Sequence, residues 1–330
     1  MTLVTLVVLG HSWTLLPDTA TNTWLYDFLY LWHVPAFVMV TGYLSRSFTW
    51  RRASMVRLLN TVALPYLLFE AALAAFRVGV GGERLDLLFA DPHWPMWYLA
   101  TLFLWRLVTP VFTRFPLPLP VGVSAAVLVC LLGGLTSGDV LDTARAMGLL
   151  PFFVAGLLAR PEHLDRLRRP ATRLAACGAM ALAALVAMLI EGRMATEWLY
   201  WRASYAELGA TFLEGVGLRL VLLLVGGVLA VSFLALVPRG GGWFSRLGAA
   251  TMVVYLFHGF AVKSFEYSDF PSWASGHPLP SLGLTSATAV VLALGLAWPP
   301  VARRLNVLVD PVRATRRRTH RRGPRPPHSG

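Results

Sequence analysis

The sequence predicts an all-α polytopic membrane protein of about ten transmembrane helices with both termini cytoplasmic. Three observations carry this: the composition, the spacing of long apolar runs, and the connections in which arginine falls. Of 330 residues, 56% are hydrophobic and 14% charged, and the mean hydropathy is +0.60. A soluble domain carries roughly a quarter charged residues, so this chain cannot cover a water-facing surface of its size with polar groups. A spanning helix needs about 20 apolar residues, so ten of them use roughly 200 positions and leave only short connections.

The apolar runs fall in order along the chain. The run 1–16 carries His11 near its far end, and 24–44 contains WHVPAFVMVTGY, where Pro35 frees a carbonyl and Gly42 permits close helix approach. The run 58–76 holds Glu70, and 95–113 holds Arg106 and opens beside Trp94, Trp97 and Tyr98, as expected of interfacial aromatics. Runs 121–137 and 146–159 are short, and 174–190, 216–237, 248–265 and 283–301 complete the set. Residues 1–302 form one transmembrane domain on this reading, and 303–330 form a basic tail rich in Pro and Gly that buries nothing and is drawn to anionic headgroups.

The formal charge of +12 comes from arginines and the single Lys263. If the N-terminus is cytoplasmic, the inner connections hold Arg46, Arg51, Arg52 and Arg57, then Arg114, the cluster from Arg160 to Arg173, Arg239 and Arg246, and the tail. The outer ones hold Arg77, Arg84, Arg145, Arg193, Arg202 and Arg219 with most of the acids. This is the positive-inside pattern, and it accounts for the charge without a nucleic-acid partner. Cys130 and Cys177 lie singly in apolar runs, and the histidines have no ligand spacing, so no disulfide framework and no metal is expected.

Ionisable groups at membrane depth are costly and mark function by default. His11, His33 and His258 lie on three spans at similar depth toward the outer side, where they line one cavity on this reading. A lone buried histidine more simply bonds a neighbouring carbonyl; three at one depth point to a site. Glu70, Arg106 and Lys263 are further buried charges that pair with one another or snorkel. A second reading of the same groups is a proton-coupled secondary transporter, with Glu70, Lys263 and the histidines as relay.

Taken in order, TLVVLGHSW, LYLWHVPAFVMVTGYLSR, RRASMVRLLNTVALPYLLFE, WPMWYLATLFLWRL and MVVYLFHGF resemble the integral-membrane acyltransferase 3 family, and within it the fucose 4-O-acetylase-like branch. The resemblance implies a multi-pass enzyme of the bacterial cytoplasmic membrane. Such an enzyme moves an acetyl or other short acyl group from cytoplasmic acetyl-CoA to a hydroxyl of a sugar or polysaccharide outside. It implies that His11 is essential, as general base or as nucleophile, with His33 and His258 orienting the acceptor or stabilising charge. Arg57, followed by Arg52 and Arg51, then matches the coenzyme-facing arginine segment, although the R-x-x-R spacing of many members is absent. The family's arginine before the first-span histidine would fall immediately before Met1, which leads us to expect a natural start upstream. Loops 77–93, 191–215 and 266–282, with their aromatic and acidic side chains, are the expected acceptor surface.

Overall fold

Each apolar run becomes helix in the computed structural model, which describes residues 1–85, 89–115, 117–136, 140–238 and 240–311. No strand occurs among the described residues. The chain begins with α1 (Thr2–Trp13), α2 (Ala20–Tyr30) and α3 (His33–Leu44). Next, α4 (Arg52–Leu58) passes through a π-helical turn (Leu59–Ala63) into α5 (Leu64–Gly81), followed by α6 (Trp97–Thr113), α7 (Leu119–Gly133) and α8 (Thr143–Leu157). A short α9 (Pro161–Arg166) leads to α10 (Pro170–Leu189), and α11 (Phe212–Leu236) follows a 3-10 turn at Thr196–Tyr200. The chain closes with α12 (Trp243–Leu247), α13 (Thr251–Glu266), α14 (Phe270–Gly276), α15 (Pro278–Ala297) and α16 (Pro299–Val309).

Five helical stretches are long and apolar enough to cross a bilayer: Arg52–Gly81, Pro170–Leu189, Phe212–Leu236, Trp243–Glu266 and Pro278–Ala297. They coincide with five of the ten runs. The others form shorter helices, 12 residues in α1 and 15 each in α7 and α8. At about 1.5 Å per residue these fall short of a hydrocarbon core of about 30 Å.

The run 24–44, read as one span, divides at Leu31–Trp32 into α2 and α3. Proline explains the break, because Pro35 has no N–H to return to the Leu31 carbonyl and its ring crowds that oxygen. Gly226 of α11 packs there: a side-chain carbon at Gly226 would lie 2.9 Å from the Leu31 oxygen.

Outward faces are apolar, as a lipid-facing surface requires. On α10, Leu174, Leu182, Leu185 and Leu189 are exposed while only Ala176 and Ala187 are buried. The interior is tightly filled around Trp105, Phe153, Leu149 and Leu256. Helices α3 and α8 approach most closely through a reciprocal glycine contact. A Cβ at Gly42 would stand 2.0 Å from the Phe153 carbonyl oxygen, and one at Gly156 would stand 1.8 Å from that of Met39. Both obstacles are backbone, so the helices must separate to admit a methyl group. Gly156→Ala is expected to destabilise the protein by about 3 kcal/mol, read as a fall in thermal midpoint in detergent. Gly178→Ala on α10, where nothing lies within 4 Å, should not lower the midpoint and should raise it slightly, because alanine is the better helix former. Equal midpoints for the two variants would refute this account of the α3–α8 contact.

Two arginines counted as outer-loop charges are helical, Arg219 buried and Arg145 half-buried. Arg219 sits in α11, 1% exposed, with its guanidinium on the carbonyls of Cys130 (3.0 Å) and Ala203 (2.8 Å). Arg145 sits in the first turn of α8, over the Trp97 ring and bonded to the Tyr200 carbonyl at 2.9 Å. At the other end of the chain, α16 carries helix past position 302 to Val309; the remaining tail from 312, with Asp86, Asp139 and Arg239 of the charge pattern, lies outside the described residues.

Candidate active site

Four elements bring the predicted residues together. His11 lies in the last turn of α1, His33 opens α3, Trp94 precedes α6, and His258 sits in the middle of α13. Gly10 makes the first approach possible, since a side-chain carbon there would lie 3.0 Å from Cε2 of Tyr30. His11, His33 and His258 are buried, and His11 Nδ1 lies 2.7 Å from His258 Nε2. Trp94 covers the pair, its ring 4.5 Å from that of His11 and 6.3 Å from that of His258. His33 joins from the side through Tyr30, whose ring meets it edge-on at 4.6 Å.

Hydrogen-bond partners fix which nitrogens carry protons. His258 Nδ1 lies 2.6 Å from the Tyr255 carbonyl, which only accepts, so this nitrogen holds the hydrogen. In the neutral ring, Nε2 of His258 is then an acceptor, and the bond to His11 must be donated by His11 Nδ1. The lone pair of His11 is left on Nε2. His33 Nδ1 likewise donates to the Leu29 carbonyl at 2.8 Å. The simple carbonyl-bonding role of a buried histidine thus applies to one nitrogen of His33 and of His258, while among the described residues the His11 ring bonds the neighbouring imidazole through Nδ1.

Glu70 and the other buried charges are arranged differently from the expected mutual pairing. Glu70 Oε1 accepts from the His93 backbone N–H at 3.0 Å, which ties α5 to the segment carrying Trp94. Lys263 instead meets Glu83 at 3.3 Å and Glu266 at 2.8 Å. Glu83, in the loop after α5, also receives Arg77 Nε at 2.8 Å and the Tyr267 hydroxyl. Burial alone pushes the Glu83 carboxyl up, but Tyr267, Arg77 and Lys263 outweigh it and hold it at about 2. Its unfolded value is 4.5, so the stability it contributes is complete above about pH 4.5 and is lost as pH falls toward 2. The gap in thermal midpoint between the native chain and Glu83→Gln should therefore be widest at neutral pH and close on acidification. A gap that is constant with pH would contradict the linkage.

At the opposite helix ends lies a small cavity of about 140 Å³, lined by Arg57, Arg106, Ser45, Ser47 and Ser54. Two guanidinium groups and three hydroxyls suit a phosphate ester. Arg57 was expected here. Arg106 belongs here too, rather than with Glu70, and the sequence signal for it was its place in the inner part of its span. Arg51 and Arg52 are exposed at the start of α4 and do not line this cavity. Helix α6 connects the two regions, with Trp97 at the imidazole end and Arg106 nine residues on, a rise of about 14 Å. Among the described residues, no three His, Cys, Asp or Glu side chains converge as metal ligands.

An apolar helical bundle that holds a buried imidazole pair toward one end and a basic cavity toward the other defines a membrane protein with ionisable groups at depth, as an enzyme or a transporter would have. The family model for the acyltransferase domain matches residues 1–299, and the chain belongs to this acyltransferase 3 family. It is an acyltransferase of the membrane. No curated protein and no solved structure matches the chain.

Proposed function

We propose that the protein transfers an acetyl or other short acyl group from cytoplasmic acyl-CoA to a hydroxyl of a sugar or polysaccharide at the outer face of a bacterial cytoplasmic membrane. On this reading the ten apolar segments, short and long, pass the membrane in alternation and leave both termini inside. The asymmetry of arginine supports that orientation. So does the cavity that gathers Ser45, Arg57 and Arg106, since Ser45 caps the end of α3 opposite His33.

The observation that carries the reaction is the tautomer of His11. With Nδ1–H donated to His258, Nε2 offers its lone pair to the acceptor hydroxyl. The hydroxyl proton passes to Nε2 as its oxygen forms a bond to the thioester carbonyl carbon. The tetrahedral adduct then expels the coenzyme A thiolate, which takes the proton back from Nε2. His258 holds the ring and shares the charge of the transient imidazolium. Trp94 and His33 border the acceptor side. The phosphates of the donor rest on Arg57 and Arg106, with Arg52 and Arg51 adding positive charge at the entrance. The pantetheine arm runs along α6 toward His11.

Purified protein incubated with labelled acetyl-CoA and candidate glycans tests this, scored for acetyl ester formation; no ester with any hydroxyl acceptor would sink it. Arg57→Ala and Arg106→Ala should each raise KM for acyl-CoA by about tenfold or more with kcat little changed, since each removes a charge-assisted phosphate contact. A fall in kcat at unchanged KM would remove the phosphate role.

A further inference from the structure

A groove of about 670 Å³ lies between α12, the start of α13, the end of α15 and α16. It is separate from both parts of the candidate active site. Its cations are Arg246 and Arg303, with the Asn306 amide beside them, and no aspartate or glutamate lines it. Among the described residues neither arginine forms an ion pair; Arg303 gives one N–H, from Nε, to the Pro299 carbonyl at 3.1 Å. Ala250, Val253, Leu294 and Ala297 make its floor apolar.

Trp243 and Trp298 flank the groove and are 61% and 59% exposed. Tryptophan with one apolar and one polar side is the residue of the lipid–water interface. Helix α16 has the pattern of an interfacial helix: it buries Ala302 and Val309, and exposes Arg303 and Arg304 together with Val307 and Leu308. The sequence after it continues with Arg313, Arg316, Arg317, Arg318, Arg321, Arg322 and Arg325, a juxtamembrane basic run of the kind that concentrates anionic lipid.

We propose that this groove binds an anionic phospholipid, its phosphodiester between Arg246 and Arg303 and an acyl chain against the alanine and valine floor. Charge complementarity selects a phosphate. The aliphatic floor and exposed tryptophans select one that is attached to a lipid over a soluble one. Helix α13 is reached directly, because its first turn lines the groove and the same helix carries His258. The lipid thus seats the helix that orients His11.

Native mass spectrometry of the full chain in detergent, supplied with phosphatidylglycerol or phosphatidylcholine, tests the proposal. Phosphatidylglycerol should be retained and should raise the thermal midpoint, and phosphatidylcholine should do neither. Arg246→Gln with Arg303→Gln should lower retention at least tenfold. Arg246→Lys with Arg303→Lys, which keeps the charge, should retain most of it. Arg169→Gln with Arg173→Gln removes the same charge from exposed positions outside the groove and should behave as the native chain. Equal retention by the native chain and the groove Gln variant would place the lipid elsewhere and overturn the proposal. Retention of coenzyme A or inorganic phosphate at these arginines with no lipid bound would overturn it as well.

Discussion

His11→Ala is expected to lower kcat for acyl transfer by about 10³ to 10⁴, the upper part of the range for loss of a positioned general base. The loss follows from the direction of one hydrogen bond. His258 Nδ1 is committed to the Tyr255 carbonyl, so the 2.7 Å contact between the rings places the His11 proton on Nδ1 and its lone pair on Nε2. Among the described residues no other side chain bonds the His11 ring, and on the proposed mechanism its removal leaves the acceptor hydroxyl without its base. KM for acyl-CoA should change little, because the proposed phosphate site at Arg57 and Arg106 lies apart from His11, toward the other end of α6. His11→Gln keeps the volume and one polar contact, and should show the same loss in kcat while keeping the native thermal midpoint. If acyl transfer persists in both variants, the base assignment fails. A labelled acyl group found on the protein without acceptor would instead assign His11 the nucleophile's role.

Much of this site was legible in the sequence because ionisable side chains stand out against apolar runs. His11 and His258 are conspicuous for that reason, yet nothing local records that residues 247 positions apart share a hydrogen bond. Pro35 announced a freed carbonyl, and the structure turns it into a break between α2 and α3. Gly42 announced a close approach, but its counterpart Gly156 is a second glycine in a short apolar run with no distinguishing pattern. Charges near helix ends were harder. Arg145 and Arg219 counted as loop residues because hydropathy places a span boundary only to within several residues, and each lies in the first turns of a helix, Arg219 buried and Arg145 half-buried. Glu70 was expected to meet a cation, and its partner is a backbone N–H, which every sequence position but proline supplies equally. Half of the ten apolar runs became helices long enough to span alone, and their length was readable because it depends on composition. The shorter ones depend on how neighbours enclose them, which composition does not record.

His258→Leu is expected to lower kcat by about 10² to 10³ while leaving KM for acyl-CoA near its native value. His258 does not touch the reacting atoms; it is a positioning residue that acts through His11. Without its Nε2, the His11 ring loses the acceptor that holds Nδ1–H, is free to turn and to exchange its proton between the two nitrogens, and presents its lone pair to the acceptor hydroxyl only part of the time. The analogous loss of an orienting group in hydrolytic triads costs about 10⁴ when the tautomer is wrong. A neutral imidazole orients with less charge than a carboxylate, so a smaller figure is expected here. His258→Gln separates orientation from packing, because a glutamine carbonyl reaches about as far as Nε2 of histidine and accepts the same hydrogen bond. It should recover at least a tenth of native kcat, whereas the leucine variant, which fills the same space under Trp94 and beside Tyr255, should not. A purely structural role for His258 predicts the reverse order, with leucine the better replacement in a site that is 0% exposed. Equal kcat in the two variants would show that the proton on His11 is placed by something other than this bond.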